Sequence, residues 1–160
     1  MLGELISETH GKRTARRVLS TSPGFKVEVS FEDSGKVLGI EAHTIATYWS
    51  EGRPDGSVYG EGQAVIMTRD GEAVTWKGQG VGKFLADGAV SYRGAVYYST
   101  ASPKLARLNT VAGVFEFEVD ADGNTTAKVW EWKWLKLGDK RKARRGQRLR
   151  GEGDKTGPAW

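Results

Sequence analysis

The feature that most constrains this chain is a two-residue alternation of apolar and polar side chains, interrupted at intervals by Asp-Gly pairs. Residues 25–32 show the alternation clearly, as expected for a strand that buries one face. Asp-Gly occurs at 55–56, 70–71, 87–88 and 122–123, and this dipeptide between alternating segments is a strong hairpin signal. The pattern therefore predicts an all-β chain of consecutive antiparallel hairpins.

Barrel closure is the architecture that this pattern favours. The alternation and the turn residues predict eight antiparallel strands joined by tight turns, with no helix long enough to cover a sheet. Closing such a sheet removes its exposed edges, so we expect an eight-stranded antiparallel up-and-down barrel, with a β-sandwich as the alternative. One short helical turn is predicted near residues 102–108, where Ser102 is a capping residue and Pro103 suits the first helical position.

Charge divides the chain into two parts. Residues 133–160 contain ten basic and three acidic residues, whereas residues 1–132 contain 14 basic and 17 acidic ones. We therefore predict a barrel domain over residues 1–137 and a flexible basic C-terminal tail over residues 138–160. Such a tail either binds nucleic acid or anionic lipid through phosphates or is simply solvated. The second interpretation is favoured, because Trp160 is its one aromatic residue available for stacking on bases.

Several classes of site are unsupported by the composition. The chain has no cysteine and two histidines, so disulfides and Cys-based zinc sites are excluded and no metal or cofactor is predicted. No apolar run approaches the roughly 18 residues of a membrane-spanning helix. The first residues lack the apolar core of a secretory signal, so a cytoplasmic location is predicted.

Turn positions predict which faces point inward, because a strand alternates its faces with a period of two. An opening hairpin is predicted around His10-Gly11, and a turn at Asp33-Ser34-Gly35-Lys36. If Asp70-Gly71 is a two-residue turn, Trp76 lies opposite Val65 on the inward face.

The same register predicts a glycine-lined hollow in the barrel. Gly78, Gly80 and Gly82 share the inward face of one strand and leave empty volume there. Opposite them the register places Tyr59, Glu61 and Gln63. A two-residue turn at Asp87-Gly88 adds Arg93 and Tyr97 to this hollow. It also turns the apolar residues between 90 and 98 outward, so either that register is wrong or this surface packs against another subunit.

Glu61 is the predicted catalytic residue. Burial raises the pKa of a carboxyl unless a cation holds it ionised, and such a group suits general acid or base chemistry. Arg93 and Tyr97 would orient the substrate or stabilise developing charge. The alternatives are a structural Glu–Arg pair and a glutamate at the wet mouth of the barrel.

Aromatic residues complete the predicted ligand site. Pairing across Asp122-Gly123 places Phe115 opposite Trp130, with Trp132 and Trp134 on the same inward face. These rings either wall an apolar pocket or form ordinary barrel core, and the core interpretation is favoured. The predicted ligand-binding residues are Tyr59, Gln63, Trp76, Gly78, Gly80, Phe115, Trp130 and Trp132.

Glycines recur between 60 and 82, and the segment Leu108–Glu116 is a small-residue turn that leads into an aromatic strand. With these features, the strand pattern over residues 20–135 resembles the allene oxide cyclase and dirigent-protein barrel family, within the wider lipocalin-like group. The resemblance implies an eight-stranded barrel with an apolar cavity, frequent dimers or trimers, and either cyclisation chemistry or simple binding. None of the family's catalytic residues has a matching position here.

Three functional hypotheses follow. The first is a barrel that encloses a small, largely apolar molecule and acts as a cyclase or isomerase by holding its substrate in a reactive shape. The second is a non-enzymatic carrier that uses the same cavity. The third is a scaffold whose basic tail binds nucleic acid.

Overall fold

The computed structural model of the chain describes residues 1–134, and within them eight strands close into one barrel. The strands are β1 (Leu2–Ser20), β2 (Lys26–Val37), β3 (Ile40–Gly52), β4 (Ser57–Thr68), β5 (Ala73–Phe84), β6 (Val90–Ser99), β7 (Ala112–Val119) and β8 (Asn124–Trp132). Consecutive strands pair in antiparallel order, and β8 pairs with β1. The predicted up-and-down barrel is confirmed. The predicted basic tail, residues 138–160, lies outside the described residues.

The first strand is longer than predicted. β1 runs for 19 residues without a turn, so the predicted hairpin around His10-Gly11 is wrong. Gly11 instead pairs with Asp33 of β2, where a Cβ on Gly11 would collide with the Glu32 carbonyl oxygen and the Asp33 carboxyl group. This glycine permits close approach of two strands rather than a change of direction.

The turn between β2 and β3 lies at Leu38-Gly39, not at the predicted Asp33-Ser34-Gly35-Lys36. Both turn residues have positive φ, 47° for Leu38 and 78° for Gly39, as a two-residue turn of the primed type requires. Gly35 lies within β2, where an added Cβ would approach the Cα of Thr9 to 2.8 Å. Asp33 is consequently a mid-strand residue rather than part of an exposed turn.

Four hairpins in the described part of the chain share one loop geometry. In each, the N–H of the residue before the loop donates a hydrogen bond to the carbonyl oxygen of the residue after the loop. The N–H of the loop glycine donates a second hydrogen bond to the carbonyl oxygen of the residue before the loop. The glycines have φ between 83° and 89°. This is a three-residue loop ending in a left-handed glycine rather than a two-residue turn. The loops cover residues 54–56, 69–71, 86–88 and 121–123, and each ends in Asp-Gly.

The extra loop residue shifts the predicted register by one. Gly60 pairs with Gly80 inside the barrel, while Glu61 pairs with Gln79 on the outside. Since side chains alternate with a period of two, β4, β6 and β8 present the face opposite to the predicted one. The inward apolar residues of β6 are Tyr92, Val96 and Tyr98, all buried. The wrong register, not a subunit contact, explains the predicted apolar outer surface of β6.

The interior consists of two apolar clusters stacked along the barrel. One cluster includes Ile6, Val37 and Val96, and a 3-10 helix, Pro103–Thr110, adds Leu105 and Leu108 to it. These two leucines are 1% and 0% exposed, so the helix closes this end of the barrel. The other cluster is more aromatic and includes Phe31, Tyr92 and Phe117. No helix within residues 1–134 is both long and apolar enough to cross a membrane.

Truncating the closing helix should destabilise the whole barrel. We expect Leu108→Ala to lower the free energy of unfolding by about 2–5 kcal/mol, because it leaves a cavity under the helix. Leu85→Ala is the matched control, since Leu85 is 46% exposed, and it should change the free energy of unfolding by about 0.5 kcal/mol or less. Urea unfolding followed by tryptophan fluorescence measures both. Equal midpoints for the two variants would contradict this role of the helix.

Candidate functional site

A cavity of about 100 Å³ lies inside the barrel and is lined by residues of all eight strands. It is smaller than an engineered apolar cavity of roughly 150 Å³ that accepts benzene, so it has room for a few waters or a body of about one small ring. Its wall is largely aromatic. The aromatic residues are Phe31, Tyr48, Trp76, Tyr92, Tyr98, Phe115 and Phe117.

Glycines on β4, β5 and β6 make room for these rings. Gly60, Gly80 and Gly94 form one row across three strands. A Cβ on Gly80 would lie 3.0 Å from the ring of Phe115, and one on Gly94 would lie 2.8 Å from it. The ring of Phe115 therefore covers this row, and Trp76 similarly lies 3.5 Å from the Cβ position of Gly62. The predicted glycine-lined hollow exists, but aromatic rings fill part of it.

One buried carboxyl group lies in this wall, that of Asp33, whereas the carboxyl group of Glu61, which also borders the cavity, is exposed. Asp33 is 2% exposed, and its two oxygens accept hydrogen bonds from Thr9 Oγ1 at 3.1 Å and from Thr125 Oγ1. Burial raises the pKa of the Asp33 carboxyl above its ordinary value, because desolvation outweighs these two hydrogen bonds and the nearby His10 and His43. Within residues 1–134 Asp33 has no salt-bridge partner. It is an acidic group held away from water without a counter-charge.

The sequence contains a signal for Asp33 that the turn assignment obscures. The odd positions of β2 from Val29 to Val37 all lie on the inward face, and Asp33 and Gly35 are the residues among them that are not apolar. A charged residue on an otherwise apolar face is the informative exception to the alternation. Assigning residues 33–36 to a turn moved this residue out of the barrel.

The predicted catalytic residues do not meet inside the barrel. Glu61 lies on the outer face, where its carboxylate accepts a hydrogen bond from the Tyr59 hydroxyl at 2.7 Å. Arg93 also lies outside and forms an ion pair with Glu118 at 2.7 Å. Tyr97 is 56% exposed. Their predicted inward orientation is wrong, because the three-residue loops shift β4 and β6 by one position.

The predicted ligand-binding residues divide into two groups. Trp76, Gly78, Gly80 and Phe115 line the cavity. The others belong to the opposite faces of their strands, and Trp132 is 60% exposed. The loop at residues 121–123 places Val129, not Trp130, opposite Phe115. The residues whose predicted inward orientation is wrong are Tyr59, Gln63, Trp130 and Trp132.

The histidines are on the outside of the barrel, as predicted for His43. His43 Nε2 lies 3.2 Å from a carboxylate oxygen of Glu32, and His10 Nδ1 lies 3.3 Å from the hydroxyl of Thr126. No group of three or more side chains of the types that bind metals is arranged to hold an ion in the described residues. The chemistry of the interior therefore depends on Asp33 and on hydroxyl groups.

Two tyrosines extend the polar lining towards the end of the barrel opposite the 3-10 helix. Burial raises the pKa values of Tyr48 and Tyr92, so both phenols stay neutral over the physiological range. The Tyr92 hydroxyl forms a hydrogen bond with Ser50 Oγ at 3.0 Å. The rings of Tyr48 and Tyr92 meet edge-to-face, with their centroids 5.8 Å apart. This contact holds neutral hydroxyls and ring faces in fixed orientations beside the cavity.

Comparison with known proteins shows the fold and nothing finer. No protein-family model and no curated protein matches the chain. A protein of unknown function from Clostridium acetobutylicum is 15% identical, with a TM-score of 0.71 over 80% of this chain and 96% of that one. A beta-barrel like protein from Acinetobacter baumannii is 13% identical, with a TM-score of 0.70 over 82% of this chain and 94% of that one. An enzyme from Penicillium herquei is 15% identical, with a TM-score of 0.57 over 80% and 92%.

These similarities support the barrel architecture. Identities of 13–15% carry no information on substrates or active-site residues. The narrower resemblance to allene oxide cyclases and dirigent proteins therefore stays a prediction.

Replacing the buried carboxyl should stabilise the protein relative to the native chain as the pH rises. A raised folded-state pKa means that the folded state favours protonated Asp33. The stabilisation that protonated Asp33 gives the folded state is fully present below the unfolded-state pKa of about 3.9. It is lost as the pH rises through the folded-state pKa. The amide of an asparagine has no such proton to lose, so we expect Asp33→Asn to gain about 1–3 kcal/mol over the native chain between acidic and neutral pH.

Urea unfolding at several pH values between 3 and 8 measures the difference. Glu61→Gln is the control, because Glu61 is an exposed carboxylate on the outer face of β4. It shows what the loss of a carboxylate outside the barrel does to the free energy of unfolding. A difference for Asp33→Asn that is constant with pH would show that folding does not raise the pKa of Asp33. One that turns against the variant at neutral pH would show that the native fold stabilises the ionised carboxylate.

Proposed function

We propose that this protein binds a small, largely apolar molecule inside the barrel, and that Asp33 is the polar group that recognises it. The observation that carries the proposal is a buried carboxyl group on the wall of an aromatic cavity without a salt-bridge partner in the described residues. Pockets of this composition, mostly apolar with few polar groups that fix orientation, are typical of small-molecule sites.

A purely structural role explains Asp33 poorly. Removing a carboxylate from water without a counter-charge is strongly unfavourable, and two hydroxyl donors offset only part of that cost. An asparagine at this position could accept a hydrogen bond from one of these hydroxyl groups through Oδ1 and donate one to the other through Nδ2, without the charge. Locally destabilising groups of this kind are concentrated at functional sites, where binding or catalysis requires them.

Cavity size limits the ligand. A volume of about 100 Å³ admits a body of roughly one small ring, whereas a fatty acyl chain or a multi-ring substrate requires movement of the wall. The end next to the 3-10 helix is closed by Leu105 and Leu108. The ligand therefore lies in the middle of the barrel, between the two apolar clusters.

Acid–base catalysis is a second candidate function for the same site. Burial raises the pKa of the Asp33 carboxyl towards the pH at which an enzyme works. Such a pKa suits proton transfer to or from a bound substrate. Aromatic walls would hold that substrate in one shape and exclude water, as in the predicted cyclase or isomerase. For any substrate found, Asp33→Asn should lower kcat by about 100-fold or more, while Glu116→Gln, a change outside the cavity, retains activity. Equal turnover in the two variants would leave binding as the function.

Filling the cavity should abolish ligand binding without unfolding the barrel. Ala127 lines the cavity, so Ala127→Leu places a branched side chain in the ligand's space. Ala73→Leu is the matched control, because Ala73 is exposed on the outer side of β5. Cyclopentanol is the probe, and binding is measured by chemical-shift changes in two-dimensional NMR spectra.

The native chain and Ala73→Leu should show saturable shifts confined to cavity residues, and Ala127→Leu should show none. Saturable shifts that persist in Ala127→Leu, or that map to the outer face near Glu61, would contradict an interior site. Far-UV circular dichroism of each variant confirms that the fold is intact.

A further inference from the structure

We infer that the ligand is a small organic cation, an amine whose ammonium group pairs with Asp33 and whose apolar body contacts the aromatic wall. The inference rests on the proposed function and narrows it to one chemical class. Its basis is the distribution of charge around the cavity together with the unused acceptor capacity of the carboxylate.

The cavity wall contains no lysine, arginine or histidine among the described residues that line it. Its ionisable acidic residues are Asp33, whose side chain is buried, and Glu61, whose side chain is exposed. Arg13 is a nearby cation, and its guanidinium lies about 3.0 Å from the Cβ position of Gly123 at the end of the barrel. It forms no ion pair with Asp33. A bound anion would therefore face a carboxylate without a counter-charge, whereas a bound cation supplies one.

The carboxylate has acceptor sites left for a ligand. Each oxygen of Asp33 accepts one hydroxyl hydrogen bond, from Thr9 and Thr125. An ionised carboxylate offers roughly four lone-pair sites, so about two stay available. An ammonium group carries donors only and can use both. Pairing within a low-dielectric interior is stronger than the same contact in water, because solvent does not screen it.

The aromatic residues suit a cation better than an equally sized neutral molecule. Phe31, Tyr48, Tyr92 and Phe117 form a connected set, with ring centroids 4.9–6.1 Å apart. Aromatic faces attract cations, and the attraction is larger when the cation is desolvated. The site is thus complementary to both parts of an amine. The buried carboxylate pairs with the ammonium group, and the aromatic faces contact the apolar body next to it.

Three probes of one shape test the inference: cyclopentylamine, cyclopentanol and cyclopentanecarboxylate. At neutral pH they are a cation, a neutral molecule and an anion with the same ring. Isothermal titration calorimetry on the native chain should show that the amine binds at least about tenfold more tightly than the alcohol, with the carboxylate weakest. Asp33→Asn should bind the amine and the alcohol within about threefold of each other. Glu116→Gln, which changes an exposed glutamate on the outer face of β7, should keep the native preference.

The outcomes separate the two proposals. If the alcohol binds as tightly as the amine, or the carboxylate binds best, the cation inference is wrong and the interior binding site still stands. If none of the three probes binds, both proposals fail for ligands of this size. If the amine preference persists in Asp33→Asn, the cation site lies elsewhere and the inference is overturned. The three-probe comparison on the native chain needs no variant, so it holds even where a variant folds poorly.

Discussion

Loop length is the constraint on which the rest of this structure depends. Three hairpins that end in Asp70-Gly71, Asp87-Gly88 and Asp122-Gly123 have three-residue loops, and the glycine of each has positive φ. Because a strand alternates its faces at every residue, one residue more or less in a loop exchanges the inside and the outside of the next strand. The loops therefore decide that Tyr92 and Val129 lie inside, and that Glu61 lies outside.

Asp33 is the main consequence of that register for function. β1 and β2 approach closely at Gly11 and Gly35, so Asp33 lies within a strand. Its carboxyl group accepts hydrogen bonds from Thr9 and Thr125 inside the barrel. The same packing that stabilises the two apolar clusters removes this carboxyl from water and leaves it without a salt-bridge partner in the described residues. A molecule that brings a donor or a positive charge into the cavity would relieve this electrostatic conflict, which links the energetics of the fold to binding.

The strand count, the closed topology and the short helix could be predicted from the sequence, because alternation and turn residues are local signals. The orientation of the strands could not, since Asp-Gly occurs in two-residue and three-residue loops alike and the two differ by one residue. Gly11 and Gly35 were misleading for a related reason: a glycine that permits close strand contact looks the same in sequence as one that permits a turn. A buried carboxyl on the wall of an aromatic cavity was expected, but at Glu61 instead of Asp33. The error in loop length turned Glu61 inward, and the assignment of residues 33–36 to a turn moved Asp33 out of the barrel.

The ionisation of Asp33 is the most direct test of this account. Carbon-detected NMR of the side-chain carboxyl groups follows each aspartate through a pH titration. We expect Asp33 to titrate clearly above the ordinary value of about 3.9, while Asp55, Asp70 and Asp120 titrate below it because their hydrogen bonds lower their pKa values. An Asp33 that titrates at or below the ordinary value would mean that water or a cation reaches it, and the case for a buried functional carboxyl would fail.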